Sequence, residues 1–305
     1  SKWAFLAYLF AFFGMIGGLP AVQSNQMVQI ISEFALPILS FDNQLIFNMI
    51  CGLIIAVLAG TVIIGGLTRI AKASSWLVPI MGGLYVLTAT FILIANFEDV
   101  PSVIKIIFSD AFTGTSVAGG TLMGVIMYGI QRGAFSNEAG IGTEALIHGT
   151  AKTNNPIKQG FVAMIGPIFD TLLICTATAV VIILSGLWMG DQYSGVSLTA
   201  MAFQTFLGSA GIAVVFLCVV FFGISTIFTY SYYGSVCARF LFGPKGQRVY
   251  LYIFIATIIF FASISLDSAI NIIDGSFAMM AIPTLISSII LAPKVIAEAN
   301  KFLAR

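Results

Sequence analysis

Charge is what this 305-residue sequence has least of: Asp, Glu, Lys and Arg together make up 8% of it. Soluble domains carry about 25%, so a water-facing globular domain is excluded and an integral membrane protein is indicated. The few charges nearly cancel, at net +1, and form no basic patch that would hold a nucleic acid. Histidine occurs once, as His148. The four cysteines (Cys51, Cys175, Cys218, Cys237) stand in or beside apolar runs without a CxxC pair. Neither a zinc site nor a disulfide framework follows from that spacing, and the thiols read as small buried hydrophobes. No activated Ser or Cys arrangement and no His–carboxylate set marks a catalytic centre, so the sequence reads as a non-enzyme without a prosthetic cofactor. A signal-peptide pattern is also missing. The chain opens at Ser1 and enters an apolar run at once, which leads to the expectation that the N-terminal part of a longer protein precedes it.

Long apolar runs are what is there. A bilayer core needs roughly 20 apolar residues per helix. On that ruler eight spans are expected: Trp3–Leu19, Leu45–Gly65, Leu77–Ala95, Thr121–Ile130 continuing brokenly to His148, Phe161–Gly186, Ile212–Tyr233, Val249–Ser265 and Ile270–Leu291. Three linkers, Gln23–Asp42, Glu98–Gly114 and Gly190–Gly208, are long enough for surface helices. Basic residues gather in cytoplasmic loops. With both ends of the chain placed inside, Lys2, Arg69, Lys72, Lys152, Lys158, Arg239, Lys245, Arg248, Lys294, Lys301 and Arg305 fall on that side, 11 of the 13 Lys and Arg. Only Lys105 falls outside, among Glu33, Asp42, Glu98, Asp99, Asp110, Asp191 and Asp267, while Arg132 sits at the break. The expected location is the cell (plasma or inner) membrane, crossed many times, with both termini cytoplasmic.

One span is interrupted. Gln131–Gly149 reads QRGAFSNEAGIGTEALIHG, with Ser136, Asn137 and Glu138 set among Gly124, Gly129, Gly133, Gly140 and Gly142. In hydrocarbon every unpaired backbone group costs several kcal/mol, so a non-helical stretch must be buried in protein or line a polar cavity. A break here offers a carbonyl-bearing helix end and an amide-bearing one, the pair of dipoles that can hold a zwitterion or a coupling ion near the midplane. A glycine-rich packing helix accounts for Gly124 and Gly129 but not for Asn137 beside Glu138. Charged side chains at this depth usually mark function. Besides Glu138 they are Glu144, Asp170 and Asp274, and the last two read equally well as partners of backbone groups freed by glycines.

Two further clusters carry polar atoms. In ISTIFTYSYYG (Ile224–Gly234), Ser225 and Thr226 bring hydroxyl oxygens suited to a hard cation, with Thr229 and Tyr230 near the face of Thr226. Membrane Ser and Thr commonly bond their own preceding carbonyls, and spacing alone favours that reading. Gln23–Gln29 (QSNQMVQ) sets amides at the end of a span, where they serve a polar solute or merely a loop. His148, four residues after Glu144, reads as an interfacial residue before a proton relay.

The run GAFSNEAGIGTEALIHGTAKTNNPIKQG, then FDTLLICTATAVVIILSG, ISTIFTYSYYGSVCARFLFG and IIDGSFAMMAIPT, closely resembles the alanine or glycine:cation symporter family, in order from Thr121 onward. The N-terminal third matches chiefly at QSN (Gln23–Asn25). The resemblance implies an all-α polytopic membrane protein with the leucine-transporter-like inverted-repeat fold. Of its ten-helix core this chain would hold the third to tenth helices, as a single transmembrane domain over 1–305. The first broken helix and the helix after it are not found. It further implies that Phe135–Gly142 is the second broken helix and that Phe135, Ser136, Asn137 and Gly140 meet substrate together with Gln23, Thr226 and Tyr230. Hydroxyls resembling Ser225 and Thr226 complete a Na⁺ site in this fold. Glu138 and Gly142 are expected to support the unwound backbone, Glu138 by accepting its loose N–H groups. Three positions depart from the family pattern: Tyr230 stands for a usual Trp, Thr284 for an Asn after Ile-Pro, and Glu144 for a small residue.

The activity implied is secondary symport of a small neutral amino acid, alanine or glycine, coupled to Na⁺ or less often H⁺ by alternating access. A truncated, non-transporting remnant or a structural or regulatory membrane subunit is the alternative.

Overall fold

The computed structural model describes residues 3–39, 41–112 and 122–304, and among these it contains helices and no strand. In chain order they are α1 (Ala4–Gly17), α2 (Ala21–Leu39), α3 (Gln44–Ile63), α4 (Leu67–Ala95), α5 (Val100–Phe112), α6 (Leu122–Asn137), α7 (Thr143–His148) and α8 (Pro156–Pro167). A π-helical stretch, Ile168–Cys175, joins α8 to α9 (Thr176–Ser185). A 3-10 turn (Leu187–Met189), α10 (Val196–Leu207), α11 (Ser209–Phe261) and α12 (Leu266–Leu303) follow. Thr121, Lys2 and Arg305, on which parts of the span and orientation expectations rest, lie outside the described residues.

Local chemistry starts several of these helices. Asn43 accepts from the Ile46 N–H at 3.1 Å, and Asn155 accepts from the Ile157 N–H at 2.9 Å with Pro156 at the first helical position. Helix α11 is the centre of the molecule, packing against α1, α2, α3, α4 and α10, while α1 also lies along α12. Gly14 and Gly18, four apart, let α1 approach closely: a Cβ on Gly14 would stand 2.6 Å from Cys237 Sγ, and one on Gly18 would stand 3.0 Å from the Gly234 amide. Large apolar side chains such as Leu87, Phe91 and Ile289 point outward, where only hydrocarbon suits them.

Six described helical stretches are long and apolar enough to cross a bilayer, against the eight spans expected. Two physical reasons account for the difference. Residues 209–261 carry two expected spans in one helix that turns at Gly243 (φ 72°). The interrupted segment after 121 contains no single helix of bilayer length, only α6 and the six-residue α7. Two linkers also depart from expectation. Helix α2 is not a surface element: Ala21, Ser24, Met27, Val28 and Ile30 are buried, and it joins both apolar clusters of the core. Helix α10 buries Ala200, Ala202 and Phe203 completely. Amides and serines hid the apolar face of α2, because Gln23, Gln26 and Gln29 lie between its buried positions.

Candidate functional site

Helix α6 closes with the Glu138 N–H bonded to Ala134 O at 2.9 Å, and Glu138 then turns left-handed, φ 55°. It is the single non-glycine with positive φ among the described residues, a conformation that costs of order 1 kcal/mol or more and is held only by its surroundings. The unwound part is therefore 138–142, and Phe135, Ser136 and Asn137 form the last helical turn before it. Two of its backbone groups lie beside side-chain partners. The Ala139 N–H donates to Asn137 Oδ1 at 2.9 Å, and the Thr284 hydroxyl stands 2.9 Å from Ile141 O. Gly142, at φ 100°, could carry no side chain: a Cβ would lie 2.5 Å from Thr284 Oγ1 and 2.7 Å from the Phe10 ring. The α7 limb then starts at Thr143.

On one side of the break lies a line of aromatic and polar groups. Glu138 accepts from the Thr143 hydroxyl at 2.5 Å, and the hydroxyls of Tyr230 and Tyr233 on α11 face the same carboxylate. Its partners are thus hydroxyls rather than the loose amides expected, because the left-handed turn aims the side chain at α11 while Asn137 and Thr284 serve the peptide groups. The Phe135 ring stands 5.8 Å from Phe277, which in turn stands 6.5 Å from Tyr230. Gln23 lies beside Tyr230, and its Oε1 is buried without a protein partner. Gln23 and Thr226 also line a cavity of about 370 Å³ with Gln26, Tyr85, Thr178 and Phe222. Gln23, Phe135, Glu138, Thr226 and Tyr230 are therefore contiguous.

Ser136 and Asn137 point to the other side, toward the π-helical stretch. The Ser136 hydroxyl bonds the Asp170 carboxylate and lies 3.1 Å from Cys175 Sγ. The Asn137 amide donates to Thr171 Oγ1 at 3.1 Å, and the Thr171 hydroxyl donates to Asp170 at 3.4 Å. The wide i→i+5 turn makes this possible. At ordinary pitch residues five apart lie about 140° apart around the axis, whereas here Asp170 and Cys175 reach one hydroxyl. The result is a cluster of one carboxylate and two hydroxyls, hard oxygen donors that an alkali cation takes, with the Asn137 amide nitrogen and the Cys175 sulfur beside them.

Other expected residues stand apart. Ser225 donates to Phe222 O at 3.0 Å and faces Met81 on α4, while Thr226 opens into the cavity, so the two hydroxyls do not converge. Gly140 lies exposed in the break, with Leu285 3.9 Å from where its Cβ would be. His148 is bonded by the Gln159 amide at 2.7 Å. Gln26 accepts from the Val196 N–H at 2.9 Å and Gln29 donates to Ser197 at 2.8 Å, so part of the QSNQMVQ run holds the start of α10. Sequence reasoning flagged Asp170 without a partner and missed Thr143 and Tyr233. The one signal for the Asp170 pairing was a carboxylate next to a threonine inside an apolar run.

The chain is similar to known proteins. The chain is 38% identical over 263 residues to an uncharacterized transporter, YflA, of Bacillus subtilis, which covers 84% of this chain and 56% of that protein. It is 35% identical over 305 residues to the sodium/alanine symporter AgcS of Methanococcus maripaludis, covering 97% and 65% respectively. A probable sodium/glutamine symporter, GlnT, of Bacillus subtilis is 34% identical over 266 residues, covering 86% and 55%. The chain thus spans between 55% and 65% of the length of these relatives. The model of the sodium:alanine symporter family matches residues 1–305. A multi-pass helical chain with this interrupted span is accordingly a member of the sodium:alanine symporter family, a family of transporters and not of enzymes.

Proposed function

We propose that the protein carries a small neutral amino acid, alanine or glycine, across the cell membrane together with Na⁺, by alternating access on a leucine-transporter-like frame. The observation that carries this reading is the unwound 138–142 segment set between an aromatic line and a cluster of hard oxygens. Peptide groups of the break would meet the charged ends of the amino acid. Phe135 and Tyr230 would bound its side chain, and Gln23, with an orphaned Oε1, would bond its polar end. For the coupling ion, Asp170, Ser136 and Thr171 form a better donor set than Ser225 and Thr226, since the Ser225 hydroxyl already serves Phe222 O. Because Ser136 and Phe135 are neighbours on one helical turn, a cation held by the first orders the second, and the two ligands share a coupling free energy. The distribution of basic residues supports a cytoplasmic side for both termini.

The test is radiolabelled alanine uptake by the protein in proteoliposomes, with Na⁺, H⁺ and K⁺ gradients imposed in turn. Uptake should follow Na⁺ and be lost in Phe135→Ala. Uptake indifferent to every cation gradient would remove symport. Competition by unlabelled glutamine, the solute in the printed name of one relative, tests the size limit: glycine should compete and glutamine should not.

A further inference from the structure

A second cavity, of about 660 Å³, lies between α1, α7, α11 and α12, and the transport reading does not use it. Helices α11 and α12 both run antiparallel to α1 here: Gly17 packs on Phe277, Gly14 on Met280 and Cys237, and Tyr8 on Phe240. One end of the cavity is therefore walled by Phe10, Gly142 and Thr284, at the last turn of the break, and the other by Trp3, Phe240 and Leu291. Trp3 to Ala11 on α1 and Pro283 to Leu291 on α12 each cover about 12 Å of helix axis. The space is an elongated slot of the size that small ligands fill.

Its side-chain walls are apolar except for the Cys237 thiol and three hydroxyls of α12. Thr284 serves Ile141 O and Met280 O, each at 2.9 Å. Ser287 and Ser288 bond no protein atom among the described residues. Ser225, Ser231, Ser235 and Ser276, by contrast, each donate to a carbonyl of their own helix, the usual habit in apolar spans. Lys294 continues the stripe of Thr284, Ser287 and Leu291 at steps of three and four, one face of a helix. Arg239 follows Val236 by three and precedes Phe240, at the same end of the slot. Both cations are exposed, and neither forms a salt bridge among the described residues, Glu298 being held by Lys301 at 2.8 Å.

We propose that this slot seats one acyl chain of an anionic phospholipid, with Ser287 and Ser288 donating to its ester oxygens and Lys294 and Arg239 meeting its phosphate. Apolar walls suit the chain, and the charge at the mouth selects the headgroup, since basic residues beside a span attract anionic lipid. Because Gly142, Ala145 and Leu146 form one wall, a seated chain packs against the α7 limb and steadies it against α1. The site does not rest on the symport reading, and its occupancy is read without any transported solute.

Phosphatidylglycerol carrying a photoreactive diazirine at the end of one acyl chain is reconstituted with the protein in proteoliposomes, and adducts are mapped by mass spectrometry. Adducts at Phe10 and Leu146 should exceed those from phosphatidylcholine with the same chain by at least about tenfold, as two basic residues at the mouth require. Leu87 and Phe91, which point outward on α4, should not distinguish the two lipids. Lys294→Gln and Arg239→Gln should each lower the slot adducts about fivefold, while Lys294→Arg should keep them. Ala7→Trp, which fills the slot, should abolish them and leave labelling at Leu87 unchanged. Equal labelling of Phe10 and Leu146 by the two lipids overturns the proposal, as do unchanged adducts in both charge-neutralised variants or their loss in Lys294→Arg. No adduct at Phe10 or Leu146 with either lipid also overturns it, since a second copy or another length of chain would then fill the space.

Discussion

Two of the places where positive-φ residues interrupt or turn a helix in this protein bear comparison, Glu138–Gly142 and Gly243. At Gly243 the turn is made by a glycine at φ 72° before Pro244, with Arg239, Lys245 and Arg248 close by in sequence and Phe240 and Phe242 exposed. No atom outside its chain neighbours lies within 4 Å of where its Cβ would be. At 138–142 a carboxylate-bearing residue takes the strained conformation, three hydroxyls surround it, and two side chains satisfy the opened backbone. The turn at Gly243 is made by its own backbone alone. The break at 138–142 is held by side chains from outside it, and those partners are what a solute can exchange with.

The sharpest way to break this comparison is Glu138→Ala. It strands the hydroxyls of Thr143, Tyr230 and Tyr233, each a buried donor costing about 1–3 kcal/mol when unsatisfied. Alanine uptake should fall about a hundredfold, equivalent to about 2.7 kcal/mol, and thermal unfolding in detergent should move down with it. Retained uptake would mean the carboxylate is incidental to the break. Next comes Gly142→Ala, where a left-handed alanine costs about 1–2 kcal/mol and overpacking against Thr284 and Phe10 about 1–3 more. The contrasting change, Gly243→Ala, meets no neighbouring atom but enters a backbone region (φ 72°, ψ −169°) that essentially only glycine adopts, at about 1–3 kcal/mol, and should leave uptake unchanged. Equal loss of uptake in the two variants would erase the distinction drawn here. A finer contrast lies between two serines. Ser136→Ala should raise the Na⁺ concentration for half-maximal uptake about tenfold, or about 1.4 kcal/mol. Ser225→Ala should change it by less than about twofold, because that hydroxyl is spent on its own helix. A reversed order would return the cation to Ser225 and Thr226.

The membrane class and the place of the break were legible because both follow from strong local signals: long apolar runs, and glycines crowded around Ser136, Asn137 and Glu138. The direction in which each break residue points was not. Ser136 and Phe135 are adjacent, yet one faces Asp170 and the other Phe277, a division set by the end of α6 rather than by residue type. The role of α2 was obscured for a related reason. Its glutamines face α10 and the cavity while Ala21, Met27, Val28 and Ile30 between them are buried, so composition along the strip averaged two opposite faces. The π-helical stretch carries no composition cue of its own. It becomes visible only when the partners of Asp170 and Cys175 are known.

That wide stretch has a consequence for how this span tolerates change in length. The helix from Pro156 to Ser185 answers to two neighbours: Asp170 to Ser136 before the last wide turn, and Thr178, 2.5 Å from the Tyr85 hydroxyl, after it. Removing one residue between 168 and 175 would swing everything downstream by about 100° about the axis, taking Thr178 off Tyr85. A single codon thus keeps two independent registers in phase, and insertions or deletions there should be far less forgiving than substitutions.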